Sequence, residues 1–234
     1  KLLNHVNAAN IAGGGGLRGR FYDGQYRLFT DLVILFWYNL GISVGNLSSA
    51  MNALRRQSFI QPQKAYGIDI SPHGFSSLSE KMANALGREE GLIDYMPNLV
   101  KDSIRKLRAL FGESFFVNGP ISKVIKEHFP EHLKVRDIEN LGIVVSNITE
   151  GNKMIVSSSG QYENTTLHDA FMEAMAFPFA LELIYRRGII RGDGGLHAPP
   201  LKEAFEMGAD LVYLTLLNYF IPRKEDTKAK GPRG

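Results

Sequence analysis

At 234 residues the chain is long enough for one sizeable α/β domain and need not divide, and its 44% hydrophobic content fits an ordinary globular core. It contains no cysteine, which excludes disulfides, a thiolate nucleophile and a cysteine-based zinc site, and leaves the redox compartment open. A net charge of +3, from 27 basic and 24 acidic residues, makes no demand for a nucleic-acid partner and is compatible with an anionic lipid surface. No stretch approaches the roughly 20 apolar residues of a membrane-spanning helix, so the expectation is a soluble or peripheral protein, cytoplasmic rather than secreted.

In chain order, the first segment, Asn7-Ala-Ala-Asn10, is polar, and a glycine run follows at Gly13-Gly-Gly-Gly-Leu-Arg-Gly19. Asp31-Leu-Val-Ile-Leu-Phe-Trp-Tyr38 is β-branched and aromatic, as a buried parallel strand should be. It leads into Gly41-Ile-Ser-Val-Gly45, and the residues from Gly45 to Arg56 read as a helix with Leu47, Ala50, Met51 and Leu54 on one face. Gln57 to Leu78 is rich in Ser, Pro, Gly and Gln, the composition of a surface excursion, and long connections near a site often act as lids. Glu89 to Phe111 carries Leu92, Ile93, Met96, Leu99, Val100, Ile104, Leu107 and Leu110 at helical spacing broken at Pro97. These residues either pack a core or line an acyl-chain channel. Leu141 to Ile148 and Ala209 to Leu216 read as further strands. Helix signals between the strands give an alternating order, hence an α/β fold with a mostly parallel sheet covered on both faces. There is no internal repeat, and Pro222 to Gly234 reads as a solvated basic tail.

The five-residue pattern around Ser43 has the form of a nucleophile elbow, in which a sharp strand-to-helix turn exposes a serine hydroxyl. Gly41 and Gly45 would let the backbone fold that tightly, and the helix N-terminus would place partial positive charge beside a developing alkoxide. The glycine run supplies backbone N–H groups that can be turned outward toward an oxyanion, because φ > 0 costs glycine little, and Arg18 can hold that loop or add charge. A phosphate-cradling loop is the rival, but no Gly-Lys-Ser/Thr follows. Asp193 stands out among the acids because Gly194 and Gly195 follow it on a turn that projects a carboxylate with little cover. Asp23, Asp31, Asp69, Asp169 and Asp210 are explained as caps and turns. His128 and His132 are four apart, but Pro130 lies between them and the pattern of a zincin is absent, so they read as structural or surface residues. His197, four residues past Asp193, could complete a Ser-His-Asp set.

Gly14 to Gly19, then Gly41 to Gly45, then Asp193-Gly-Gly195 resemble, in that order, the blocks of the patatin-like phospholipase family. Leu167 to Pro178 is similar to the helix that precedes the family's aspartate, and Ala204 to Leu214 to its closing helix and strand; the likeness covers about residues 11 to 56 and 135 to 218. The chain departs from the family at Asn7 to Asn10, where an apolar strand is usual, and at His197 and Ala198, where Asn is common. The resemblance implies a three-layer patatin-like domain over residues 1–221, followed by the tail at 222–234. It implies a Ser-Asp dyad with Ser43 as nucleophile and Asp193 as base, and Gly14, Gly15, Gly16 and the Val44 N–H as oxyanion donors. The expected activity is that of a serine lipid acyl hydrolase on a phospholipid or other acyl ester. No metal or organic cofactor is implied, and the net charge neither calls for a nucleic-acid partner nor opposes peripheral membrane contact. Acyl transfer on the same site, or a silent lipid- or partner-binding module, are the alternatives.

Overall fold

A computed structural model describes residues 6–14, 20–62, 66–94, 118–160, 162–178 and 181–217. The described strands are β1 (Ala8–Ala12), β2 (Tyr38–Ile42), β3 (Leu141–Asn147), β4 (Asn152–Ser157), β5 (Ile184–Arg186), β6 (Ile189–Asp193) and β7 (Leu211–Thr215). The described helices are α1 (Phe21–Asp31), α2 (Gly45–Ile60), α3 (Pro72–Asp94), α4 (Gly119–His128), α5 (Leu167–Met175) and α6 (Leu201–Glu206). The tail at 222–234, and the part of the apolar stretch from Tyr95 to Phe111, lie outside the described residues.

The class is α/β, and the seven strands form one mixed sheet in the order β5-β6-β3-β2-β1-β7, with β4 paired to β3. Its centre is parallel, β7 with β1, β1 with β2 and β2 with β3, while β4, β5 and β6 add antiparallel pairings. The two sides of the sheet are covered unequally. One carries the main core, where Tyr22 and Tyr26 of α1, Leu47, Ala50, Met51 and Leu54 of α2, Phe75 and Leu78 of α3, and Ala170 and Phe171 of α5 are all buried. On the other a small cluster joins Ala9, Ile11 and Leu40 to Ala204 of α6 and to Ala209.

The strand expected over Asp31 to Tyr38 is displaced toward the C-terminus. Helix α1 runs to Asp31, the Leu32 N–H closes it on the Leu28 carbonyl, and the chain reverses through Val33 at φ 54°. Leu32 and Val33 are 61% and 63% exposed, while Phe36 folds inward against Phe29 and Tyr213. The pleated pairing begins only at Tyr38, opposite Ala9 of β1, and at Asn39, opposite Leu141 of β3. Propensity marked the right neighbourhood, and strand partners set the register.

The excursion expected over Gln57 to Leu78 shrinks to the connection between Ile60 and Pro72. Gln57 belongs to the core: its amide nitrogen donates to the Asp137 carbonyl and its oxygen accepts from the Glu139 N–H. A polar residue with both ends of its amide bonded can be buried at little cost. The polar first segment also becomes a strand, and Asn10 is fully buried within it.

Candidate active site

The pairing of β3 brings two distant parts of the chain together. β2 pairs with residues 141–144 of β3 and β6 with residues 145–147, while β4 pairs with 142–147. A strand has two edges, so β4 occupies one of them and β2 and β6 share the other. β2 runs parallel to β3 and β6 antiparallel, and their C-terminal ends therefore meet head to head. Ile42 stands opposite Val144 and Asp193 opposite Val145, which are consecutive residues. The residue after Ile42 is Ser43, so the topology alone delivers a serine and a carboxylate to one point.

Close approach is what shapes the turn at Ser43. Ser43 adopts φ 53°, a left-handed conformation that is uncommon outside glycine and is kept where the surroundings enforce it. Gly45 packs so tightly on the end of β1 that a Cβ there would lie 2.6 Å from the Gly13 carbonyl oxygen. At Gly41 a Cβ would meet the Asn46 backbone nitrogen at 2.7 Å. Neither position admits a side chain, which is the physical content of the glycine spacing. The Asn46 amide then donates to the Ser43 carbonyl at 2.8 Å, and the Asn46 N–H donates to the same oxygen at 3.0 Å, fixing the start of α2. Val44 is the N-cap of that helix, so Ser43 and Val44 sit at its positive end.

Asp193 is held from several sides. Its N–H donates to the Ala176 carbonyl at 2.9 Å, its own carbonyl accepts from the Ser146 hydroxyl at 2.6 Å, and its Oδ1 accepts from the Gly195 N–H at 2.6 Å. The Ser43 hydroxyl lies beside the same carboxylate and favours its charged form. Gly194 supports the turn because a Cβ there would strike the Val144 backbone at 2.8 Å. Asp193 is only 2% exposed. Burial pushes its carboxyl from 3.8 up to about 6, against the opposing pull of the Ser43 and Gly195 hydrogen bonds. A carboxylate so placed is a better proton acceptor than an ordinary aspartate.

Of the glycine run, Gly14 lies at the site: a Cβ on it would be 3.0 Å from the Ser43 Cβ and 3.7 Å from its Oγ. Gly13 anchors the run, its N–H donating to Thr215 of β7 at 2.8 Å and its carbonyl accepting from the Tyr22 hydroxyl at 2.6 Å. Gly15, Gly16 and Arg18 lie outside the described residues. His197 does not join the serine and the aspartate. Its backbone N–H closes the turn on the Gly194 carbonyl, and its ring makes no hydrogen bond among the described residues, while the Asp193 carboxylate lies beside the Ser43 hydroxyl.

The pair His128 and His132 is not one helical turn apart in space, because α4 ends at His128, whose Nδ1 lies 2.9 Å from the Val124 carbonyl oxygen. Among the described residues no group of three His, Asp or Glu side chains could hold a metal ion, and no helix is long and apolar enough to cross a membrane.

Sequence reasoning missed the supports of the aspartate. Two residues before it, Arg191 is fully buried and donates to Glu173 at 2.6 Å, with its guanidinium 4.6 Å from the centre of the Tyr162 ring. Glu173 also pairs with Arg186 at 2.8 Å. The signal was Glu173 within the apolar run of α5, a charge that burial tolerates only with a paired cation. Nothing in the sequence marked Ser146 or Ala176, because both act through β3 and α5 packing.

Comparison with known proteins adds little to this geometry. No protein-family model and no curated protein matches the chain. Among solved structures, VipD from Legionella pneumophila is similar at 14% identity and a TM-score of 0.48, over 90% of this chain and 49% of that one. The chain thus spans about half the length of that protein.

Proposed function

We propose that the protein is a serine acyl hydrolase of the patatin-like type, acting on phospholipids or related acyl esters at a membrane or micelle surface. The observation that carries the reading is the meeting of Ser43, a left-handed elbow residue, with the buried Asp193 carboxylate where β2 and β6 end side by side on β3. Ser43 Oγ attacks the ester carbonyl and its proton passes to Asp193. The oxyanion forms beside the Gly14 backbone and the Val44 N–H. Asp193 returns the proton to the departing alcohol as the carbonyl–alkoxy bond breaks. Water, deprotonated by the same carboxylate, then releases the acid and restores Ser43. The sequence pattern at three separate blocks and the head-to-head meeting of β2 and β6 support one another here.

A fluorophosphonate probe with peptide mapping, together with hydrolysis of short p-nitrophenyl esters, tests the reading. The expected outcome is covalent labelling of Ser43, and loss of at least 99% of hydrolysis in Ser43→Ala with unchanged circular dichroism. An alanine variant that keeps most of the activity removes Ser43 as the nucleophile.

A further inference from the structure

A second serine, remote in sequence from Ser43, stands in line with a histidine and an aspartate. Ser122, on the first turns of α4, has its Oγ 2.8 Å from His168 Nε2, and His168 Nδ1 lies 3.3 Å from Asp169 Oδ1. The second Asp169 oxygen is held by Arg186 Nη2 at 2.9 Å. The Asp169 N–H is fixed by the Thr166 hydroxyl at 3.1 Å, which caps α5. Burial raises the Asp169 carboxyl, yet the hydrogen bonds from Arg186 and Thr166 and the Arg186 charge outweigh it and hold the group below the usual carboxylate range. An ionised Asp169 assigns the imidazole proton to Nδ1, which leaves Nε2 free to accept from the Ser122 hydroxyl.

Among the described residues, the surroundings of Ser122 leave room for a reactant. His168 and Asp169 side chains are 18% and 31% exposed. Gly119 lies three residues before Ser122, on the same face of α4, and a Cβ added there would meet nothing within 4 Å. Helix α4 begins at Gly119 after the Asn118 cap, and Asn118 is itself tied to the Glu182 carbonyl at 3.0 Å. The first N–H groups of a helix have no intrahelical partner, so those of Gly119, three residues before the serine, and of Ile121, directly before it, lie at the positive end of α4. Pro120 carries no such group.

We propose that Ser122, His168 and Asp169 form a second acyl-accepting site, reactive toward small activated esters and organophosphonates and independent of Ser43. With an ester, the Ser122 Oγ–carbonyl carbon bond forms, the carbonyl–alkoxy bond breaks, and the hydroxyl proton passes through His168 Nε2 to the leaving alcohol. With a fluorophosphonate, the Oγ–phosphorus bond forms, fluoride leaves, and the proton is held by His168 and released to water. Recognition by geometry and role, in place of sequence position, is what such sets require.

The test uses the full chain carrying Ser43→Ala, so that labelling at the first site cannot contribute. A fluorophosphonate probe is expected to label the peptide containing Ser122 in this variant, and adding His168→Gln is expected to slow that labelling at least tenfold, with Ser122→Ala abolishing it. Circular dichroism confirms that each variant is folded, and Asp169→Asn, expected to slow labelling as well, serves if the histidine variant is not. No label on Ser122 over the time that fully labels an equimolar control esterase overturns the proposal, as does a rate unchanged by both His168→Gln and Asp169→Asn. In that case the Ser122–His168 bond only ties α4 to α5. Because labelling of Ser43 is read separately in the unsubstituted chain, either site can fail without the other.

Discussion

Asp193→Asn is expected to abolish activity and at the same time to stabilise the protein at alkaline pH. The folded state holds the carboxyl at about 6, whereas the unfolded chain holds it near 3.8, and the difference is due first to burial. A group whose folded value is raised contributes stability that is fully present below the unfolded value and is lost as pH rises through the folded one. At pH 8 both states are ionised, and the charge costs the fold about 3 kcal/mol at most. Asparagine is nearly isosteric, its carbonyl can still accept from the Gly195 N–H, and it carries no charge to bury. At pH 8 the variant should therefore gain up to about 3 kcal/mol, or roughly 6 to 12 °C in Tm for a chain of this length. The increment should shrink on acidification through pH 6 and be close to zero below pH 4. Thermal unfolding followed by circular dichroism at pH 8, 6 and 4 reads it directly. A variant no more stable than the parent at pH 8, or an increment that does not change with pH, refutes the claim that the Asp193 charge is held at a cost to folding.

The same carboxyl sets the pH dependence of ester hydrolysis. Because the base must be ionised, kcat/KM should rise with pH through an apparent value of about 6 and level above it; a flat profile between pH 5 and 8 counts against Asp193 as base. His197→Ala should keep at least a tenth of the parent activity, since its ring has no bond to Ser43 or Asp193 among the described residues, and a dead but folded variant would make the histidine part of the machinery. Gly45→Ala should destabilise the protein by about 1 to 3 kcal/mol in urea unfolding and lose activity, because the new methyl group collides with the Gly13 carbonyl at the base of the elbow. Gly24→Ala, within α1 with open space around it, should instead be neutral or stabilising by about 0.5 to 1 kcal/mol, and serves as the control.

What the sequence determined by itself was local. The spacing of Gly41, Ser43 and Gly45, and the pair of glycines after Asp193, report steric demands made within a few residues, so they are legible wherever the chain happens to fold. The alternation of strand and helix signals likewise gave the α/β class, and Leu47, Ala50, Met51 and Leu54 gave the buried face of α2. The tertiary structure alone decided where the strands begin. Leu32 to Trp37 has the propensity of a strand, yet it forms a helix end and a reversal, because pairing starts only at Tyr38 with β1 and at Asn39 with β3. Buried polar residues such as Gln57 and Arg191 were invisible for a related reason, since composition cannot supply the partner that makes burial tolerable. The meeting of Ser43 with Asp193 across 150 residues belongs to the same class of facts. It follows from β2 and β6 sharing one edge of β3, and a strand's choice of edge is settled by long-range hydrogen bonding and packing that no local pattern encodes.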